Sequence, residues 1–310
     1  VEARHLRYAL ALHEHQHFGR AAASLGIAQP PLSAQIGALE REVGERLFDR
    51  TPRGVFPTAA GEAFLARARC ALREMELAAI DAARAGRGQT GRLRIGFIGS
   101  ALLEPLPVVL GRFRRDRPQV RLDLRESSTP AGTAALLAGE LDVAVGRGAP
   151  RGPRVADLTT VAIGTDHLIA AVATSHPFAG RATVEVAQLA QQRLIISPPE
   201  EEPATAAMLG AVFEHHRAAL DGATYARDVH TITGLAACGL GVGLLPDSAR
   251  RAARPDVWFC DVAPRVALPD LRMSFRADDR SPVLAAFLGS VRHECAEVGA
   301  RLDAAIARSG

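Results

Sequence analysis

The segment RAAASLGIAQPPLSAQIGALE, residues 20–40, constrains the start of this chain more than any other stretch. Ala21, Ala22 and Ala23 let a second helix pack closely, and Gly26 suits the left-handed residue that ends a helix. Ile27 fills the turn from inside. Pro30 or Pro31 then suits the first turn of a new helix, where a missing N–H costs nothing. Leu32, Ile36, Leu39 and Val43 follow at helical spacing, which predicts a buried stripe. The other face carries Pro30, Ser33, Ala34 and Gly37, with no bulky or charged group. This is the layout of a helix-turn-helix, in which one helix buttresses and the second enters the major groove. LFDRTPRGVFPT, residues 47–58, reads as a β-hairpin with Arg53 and Gly54 at its tip. Such a wing puts Arg50 and Arg53 near phosphate or the minor groove. The alternative is a helical hairpin that merely packs; the turn, the slim face and the arginine-tipped hairpin together favour DNA.

The 310 residues predict roughly two domains. A hydrophobic content of 48% is ample for real cores. The net charge of +3 permits a nucleic-acid partner without demanding one. All 37 basic residues are arginine, whose forks suit phosphate and carboxylate. Cys70, Cys238, Cys260 and Cys295 lie far apart without a CxxC spacing, against a zinc site, and are expected to be reduced and buried. No signal peptide is visible and no apolar run approaches ~18 residues, so a cytoplasmic protein without membrane contact is expected.

Residues 59–86 read as one long helix without proline. Leu65, Ala68, Leu72, Met75, Ala79 and Ala82 recur along it at spacings of three and four, a heptad-like seam that would pair two copies. The alternative is a surface helix lying on its own domain. Gly86, Gly88 and Gly91 punctuate, and from Arg92 strands alternate with helices: LRIGFIG, VRLDLRE and LDVAVG are apolar strands of parallel βα units.

A doubly wound pattern places a ligand at the carboxyl ends of strands, where the sheet order reverses. One strand ends at Gly99 with a helix expected from Ser100; another leads to a helix start at Ser128 and Thr129. Both offer free backbone N–H groups, a hydroxyl and a positive helix end, a setting for a carboxylate. A third strand ends at Gly146 and delivers Arg147, a fork able to hold that carboxylate. Helix caps alone are the bland explanation of the serines and threonine. ISPPEEEPATAAML, residues 196–209, reads as a loop into a helix, with Pro203 facing the cleft and the three glutamates solvated. His230 is expected at another cleft edge.

GLGVG, residues 239–243, follows a helix and precedes a strand, the wrong order for a dinucleotide loop. There is no GxSxG, P-loop or HExxH. His13 and His17, four apart on one expected helix, have no acidic or thiol partner suggested. No catalytic residue, metal site or cofactor is predicted, and the chain is not expected to be an enzyme.

From RHLRYALALHEHQHFGRAAASLGIAQPPLSAQIGALEREVGERLFDRTPRGVFPTAAGEAFL onward, the chain resembles LysR-type transcriptional regulators. The likeness continues through GRLRIGFIGSALLEPLPVVLGRFRRDRPQVRLDLRE, ALLAGELDVAVGR and GLAACGLGVGLLP. The resemblance implies an α/β protein with a winged helix-turn-helix over residues 1–58 and a linker and dimerisation helix with hinge over 59–90. An effector-binding domain over 91–310 would resemble type 2 periplasmic solute-binding proteins, with one subdomain at about 91–163 and 268–310 and the other at about 164–267. It implies DNA contacts at Gln29, Pro30, Pro31, Ser33, Gln35, Arg50 and Arg53, with Arg20 and Thr51 beside them. Ala34 and Gly37 depart from the basic or long polar residues common there, so readout would lean on Gln29, Ser33, proline contact with thymine methyls and DNA shape. Ser100, Thr129 and Arg147 match positions that hold carboxylated effectors in members responding to aromatic-degradation intermediates. The expected partners are double-stranded DNA, a small anionic metabolite, a second copy as homodimer or homotetramer, and RNA polymerase. The competing readings are a solute-binding module without DNA function and, behind it, a cleft enzyme.

Overall fold

Three short helices open the chain: α1 (Ala3–His15), α2 (Phe18–Ser24) and α3 (Gln29–Val43). The computed structural model describes residues 1–216, 218–294 and 296–309, which fall into two units, Val1–Arg84 and Ala85–Gly310. Gly26 sits between α2 and α3 at φ +67°, a left-handed value that strains a side-chain-bearing residue. Both prolines lie in the first turn of α3. Leu32, Ile36 and Leu39 are buried against Ala9, Leu12 and Phe18. Val43 does not complete the stripe; as the last helical residue before Gly44 it projects past the core and is 38% exposed.

The hairpin forms from β1 (Phe48–Thr51) and β2 (Gly54–Pro57), with Thr51 opposite Gly54. It is tied down at both ends. The Glu40 carboxylate of α3 accepts from the Leu47 and Phe48 amides at 2.9 and 3.1 Å. The Val55 amide donates to the Gln16 carbonyl at 2.9 Å. Thr58 Oγ1 then accepts from the Gly61 amide at the head of α4 (Ala59–Gly86).

Helix α4 corrects the seam expectation at its first two positions. Leu65 and Ala68 are buried in the core of the first unit, at 0% and 2% exposure. Leu65 packs in the core shared by the hairpin and α1–α3, and neither buried side chain is available to a second copy. Beyond it Leu72 is half-buried, while Met75 and Ala79 are exposed, together with Leu77 and Ile80.

The second unit contains two sheets. β3 (Thr90–Phe97), β4 (Gln119–Glu126) and β5 (Val143–Arg147) alternate with α5 (Leu106–Asp116) and α6 (Thr129–Leu137), and β6 (Leu158–Gly164) follows. The chain then crosses into a second lobe of β7 (Leu168–Ala173), β8 (Thr183–Glu185), α7 (Val186–Leu189), β9 (Leu194–Ile196), α8 (Pro203–Val212), α9 (Ala218–Asp221), β10 (Thr224–Tyr225), α10 (Val229–Ala237), β11 (Val242–Pro246) and β12 (Val257–Ala263). It returns through β13 (Leu271–Arg276) and closes with α11 (Pro282–Glu294) and α12 (Ala296–Ser309). The sheet orders are β4-β3-β5-β13-β6 and β10-β9-β11-β7-β12-β8.

β3 runs parallel to both its neighbours, as does β9 in the other lobe. Each lobe therefore has a switch point at the carboxyl end of that strand, β3 or β9, the place where α/β sheets open a crevice. Helices cover the sheet faces, so β7 is buried along its whole length. In the first lobe Phe113 of α5 meets Phe287 of α11 edge to face, ring centres 5.4 Å apart. The crossings at 165–167 and 264–270 pair with one another: the Leu168 amide donates to the Val266 carbonyl, and Leu268 to that of Asp166.

Three further sequence expectations are revised. Ser100 starts no long helix; it lies in a single tight turn, Gly99–Leu102, and α5 begins only at Leu106. His13 and His17 are not on one helix, because His17 caps α2 by accepting from the Gly19 amide. Cys70 and Cys238 are exposed rather than buried, Cys70 on the solvent side of mid-α4 and Cys238 at the C-terminal end of α10; Cys260 is buried as expected, and Cys295 lies outside the described residues.

Candidate functional site

The outer side of α3 starts with exposed Gln29, Pro30 and Pro31, followed by half-buried Ser33, exposed Ala34 and half-buried Gly37. Ala28 caps the helix without any side-chain hydrogen bond. Arg50 is fixed toward this face from the hairpin: one Nη donates to Ser33 Oγ at 3.3 Å, and the guanidinium stacks 4.5 Å above the Phe18 ring. Thr51 shapes the hairpin tip, donating to the Gly54 carbonyl and accepting from the Arg53 amide. Arg53 and Arg20 are exposed. Gln35 departs from the set: its Oε1 lies 2.8 Å from Nε2 of buried His5 on α1, so helical rotation turns it away from Ser33.

In the second unit a cavity of about 60 Å³ lies between the two switch points. Ile98 and Ser100 follow β3, Arg147 ends β5, Ser197 and Glu202 follow β9, and Asp228 follows β10. Gly146 makes this arrangement possible: a Cβ there would come within 2.8 Å of Thr129 Oγ1. That closeness lets the Thr129 hydroxyl accept from the Arg147 amide at 3.1 Å.

Arg147 is buried, and its guanidinium donates to the Pro269 carbonyl at 3.1 Å. Ser100 Oγ is 3.5 Å from it and the Asp166 carboxylate 3.8 Å. Burial pushes the Arg147 pKa down, against the pull of Asp166, Glu202 and Asp270. Asp166 belongs to the first crossing and is itself held by Ser248 Oγ at 2.7 Å and the His167 amide at 2.9 Å. Ser128 caps α6 through the Ala131 amide and does not line the cavity.

Glu202 reverses the expectation of solvated glutamates. It is the cap residue of α8, yet its carboxylate reaches across to Thr129, whose hydroxyl donates to both oxygens at 3.1 and 3.2 Å. Burial pushes its pKa up to about 7, partly offset by the Thr129 hydrogen bond and the Arg147 charge. Glu201 remains at the rim, paired with Arg227 at 2.7 Å. Pro203 does not face the cavity; Glu202, Thr205 and Leu209 form the inward face of α8, at helical spacing. His230 is likewise exposed and outside the lining, because Asp228, Val229 and Ile232 are the residues of that segment turned inward. Asp228 is desolvated but held below its ordinary pKa by the Thr231 hydroxyl and amide. The spacing of Glu202, Thr205 and apolar Leu209 was the signal available in the sequence for this face.

Comparison with known proteins agrees with this architecture. Residues 3–62 match the bacterial regulatory helix-turn-helix protein, lysR family, and residues 86–296 match the LysR substrate binding domain. The chain is 38% identical over 273 residues to the uncharacterized HTH-type transcriptional regulator YnfL of Escherichia coli (strain K12), covering 87% of this chain and 91% of that one. It is 32% identical over 290 residues to the HTH-type transcriptional regulator ClcR of Pseudomonas putida, covering 93% and 97%. The solved structure of full-length CbnR complexed with its target DNA superposes with a TM-score of 0.81 at 29% identity, covering 95% of this chain and 100% of that one. No helix among the described residues is long and apolar enough to cross a membrane. The chain thus belongs to the LysR family: it is a DNA-binding transcriptional regulator with an effector-binding domain.

Proposed function

We propose that this regulator reads double-stranded DNA with the outer face of α3, through Gln29, Pro30, Pro31 and Ser33, while Arg50, Thr51 and Arg53 of the hairpin and Arg20 of α2 engage the backbone beside it. The observation that carries this reading is Arg50, locked between Phe18 and Ser33 with its charge facing outward. A pre-oriented guanidinium loses little freedom on meeting a phosphate. Two copies, joined along the exposed part of α4 from Leu72 to Ala82, present two such faces to a two-fold site. The protein acts in the cytoplasm, where the DNA and RNA polymerase are, and uses the cleft to sense rather than to catalyse.

The sensed molecule is a small carboxylate-bearing metabolite. Its carboxylate is held by Arg147 and Ser100, at the paired switch points; Thr129, expected to join them, instead lies outside the cavity lining with its hydroxyl bonded to the Arg147 amide and the Glu202 carboxylate. Only different affinity for two assembly states lets that ligand alter DNA affinity or bending. Mobility shifts on the intergenic DNA upstream of its gene, repeated at rising salt, test the DNA reading. Each neutralised phosphate contributes a slope of about −0.9 in log K against log salt, so Arg50→Ala is expected to weaken binding and flatten the slope by about 1. Unchanged affinity and slope in that variant would remove Arg50 from the interface.

A further inference from the structure

Three polar groups on the cleft wall, one on a buried residue and two on half-buried ones, are sparsely partnered. The Arg147 guanidinium is 5% exposed, yet its one close bond is to the Pro269 carbonyl, with Ser100 and Asp166 at 3.5 and 3.8 Å. Both oxygens of the Glu202 carboxylate share the single Thr129 hydroxyl, and among the described residues no cation lies within 4.0 Å of them. Thr205 Oγ1, one turn along α8 from Glu202, is buried with no hydrogen-bond partner. Native interiors satisfy nearly all buried polar atoms, so the unpartnered Thr205 Oγ1 beside the sparsely bonded Arg147 and Glu202 points to a ligand that completes them.

We propose that the cleft ligand carries an ammonium as well as a carboxylate: a small aliphatic amino acid, its carboxylate on Arg147 and Ser100 and its ammonium on Glu202 and Thr205. This rests on the reading above that Arg147 holds an effector's carboxylate. The two ends are complementary group by group. An ammonium offers three donors and no acceptor, while Glu202 and Thr205 offer acceptor oxygens. Ile98, Leu168, Leu209, Ile232 and Leu245 line one wall of the remainder, suited to a short aliphatic body, while Ser197, Arg227 and Asp228 line its polar edge, where Arg227 is paired with Glu201 and Asp228 is held by Thr231. A second carboxylate would face Glu202, like charge against like charge. Burial holds Glu202 near the edge of ionisation, and an ammonium in contact would favour its charged form.

The test measures binding to the full-length protein by calorimetry and thermal shift. L-alanine, L-valine and L-leucine are compared with propionate, 3-methylbutanoate and 4-methylpentanoate, which lack only the amine, and with succinate and cis,cis-muconate. At least one amino acid is expected to bind tenfold or more tightly than its deaminated counterpart. Glu202→Gln should weaken the amino acid by about tenfold or more while changing the deaminated acid less than about threefold, as befits loss of a charge-assisted contact. Thr205→Val, of equal shape, should weaken the amino acid by a few-fold. Arg147→Ala should weaken every ligand that binds. If the amine-free acids or dicarboxylates bind as well or better in an Arg147-dependent way, the ammonium assignment is overturned and the carboxylate reading stands. If neither amino acids nor carboxylates bind, both fall.

Discussion

At Glu202 the fold places a carboxyl where its charge is poorly solvated, and this sets a pH dependence. Its pKa is raised from the ordinary 4.5 to about 7, first by burial, against the opposing pull of Thr129 and Arg147. Between those values the folded protein keeps a proton that the unfolded chain releases. The stability associated with neutral Glu202 is therefore complete below pH 4.5 and is lost as pH rises to about 7, with no further change above. Glu202→Gln keeps a neutral side chain throughout. Its melting temperature is expected to exceed that of the parent protein at about pH 8, by an amount worth roughly 1–3 kcal/mol, and the gap should close toward about pH 5. Melting curves at four pH values check this; a gap that stays constant on acidification would mean Glu202 is ionised throughout.

Helices α3 and α4 each carry two faces with different duties, and substitutions separate them. On α3, Ala34 is exposed and Leu39 is buried. Ala34→Leu is expected to leave the melting temperature within about 0.5 kcal/mol of the parent, as surface changes do, yet to weaken DNA binding by blocking close approach. Retained affinity in a mobility shift would show that this face does not enter the groove. On α4, Leu65 is fully buried and Met75 is 53% exposed. Leu65→Ala should destabilise the first unit by about 2–5 kcal/mol through the cavity it leaves. Met75→Glu should leave that unit folded and lower the oligomeric state in sedimentation, because it puts a charge into the paired stripe. If Met75→Glu sediments like the parent protein, the pairing surface lies elsewhere.

Across the second unit, two lobes are joined by paired crossings, and Asp166 sits where they meet. It accepts from Ser248 and the His167 backbone while facing Arg147, so it ties the crossing, the end of β11 and the cleft arginine together. Asp166→Ala removes the carboxylate nearest to a buried guanidinium. It is expected to lower stability by about 1–3 kcal/mol and to weaken Arg147-dependent ligands, since the guanidinium loses its orientation. Denaturant melts with and without ligand measure both effects; a variant with parental stability and affinity would show that the Pro269 carbonyl alone orients Arg147. Ligand in hundredfold excess over its Kd should raise stability by about 2.7 kcal/mol, so the ligand effect stands clear of the mutation.

The residues of the opening helices determined their own structure. Gly26, the paired prolines and the apolar spacing of Leu32, Ile36 and Leu39 act over a few residues, and backbone preference with local periodicity is enough to place them. The strand ends expected at Gly99 and Gly146 fall at Phe97 and Arg147, within two residues, and the α6 start at Thr129 was legible for the same reason. What periodicity could not convey is which side of an amphipathic element meets which neighbour. Leu65 and Ala68 continue a seam in sequence, but both are buried within the first unit, Leu65 in the core shared by α1–α3 and the hairpin. Gln35 has a contact residue's spacing, but His5 on another helix turns it aside. Glu202 looks like one of three solvated glutamates until α8 is set against Thr129, 73 residues earlier in the chain. Burial and partner choice at these positions depend on contacts between distant segments, and only the packed tertiary structure supplies them.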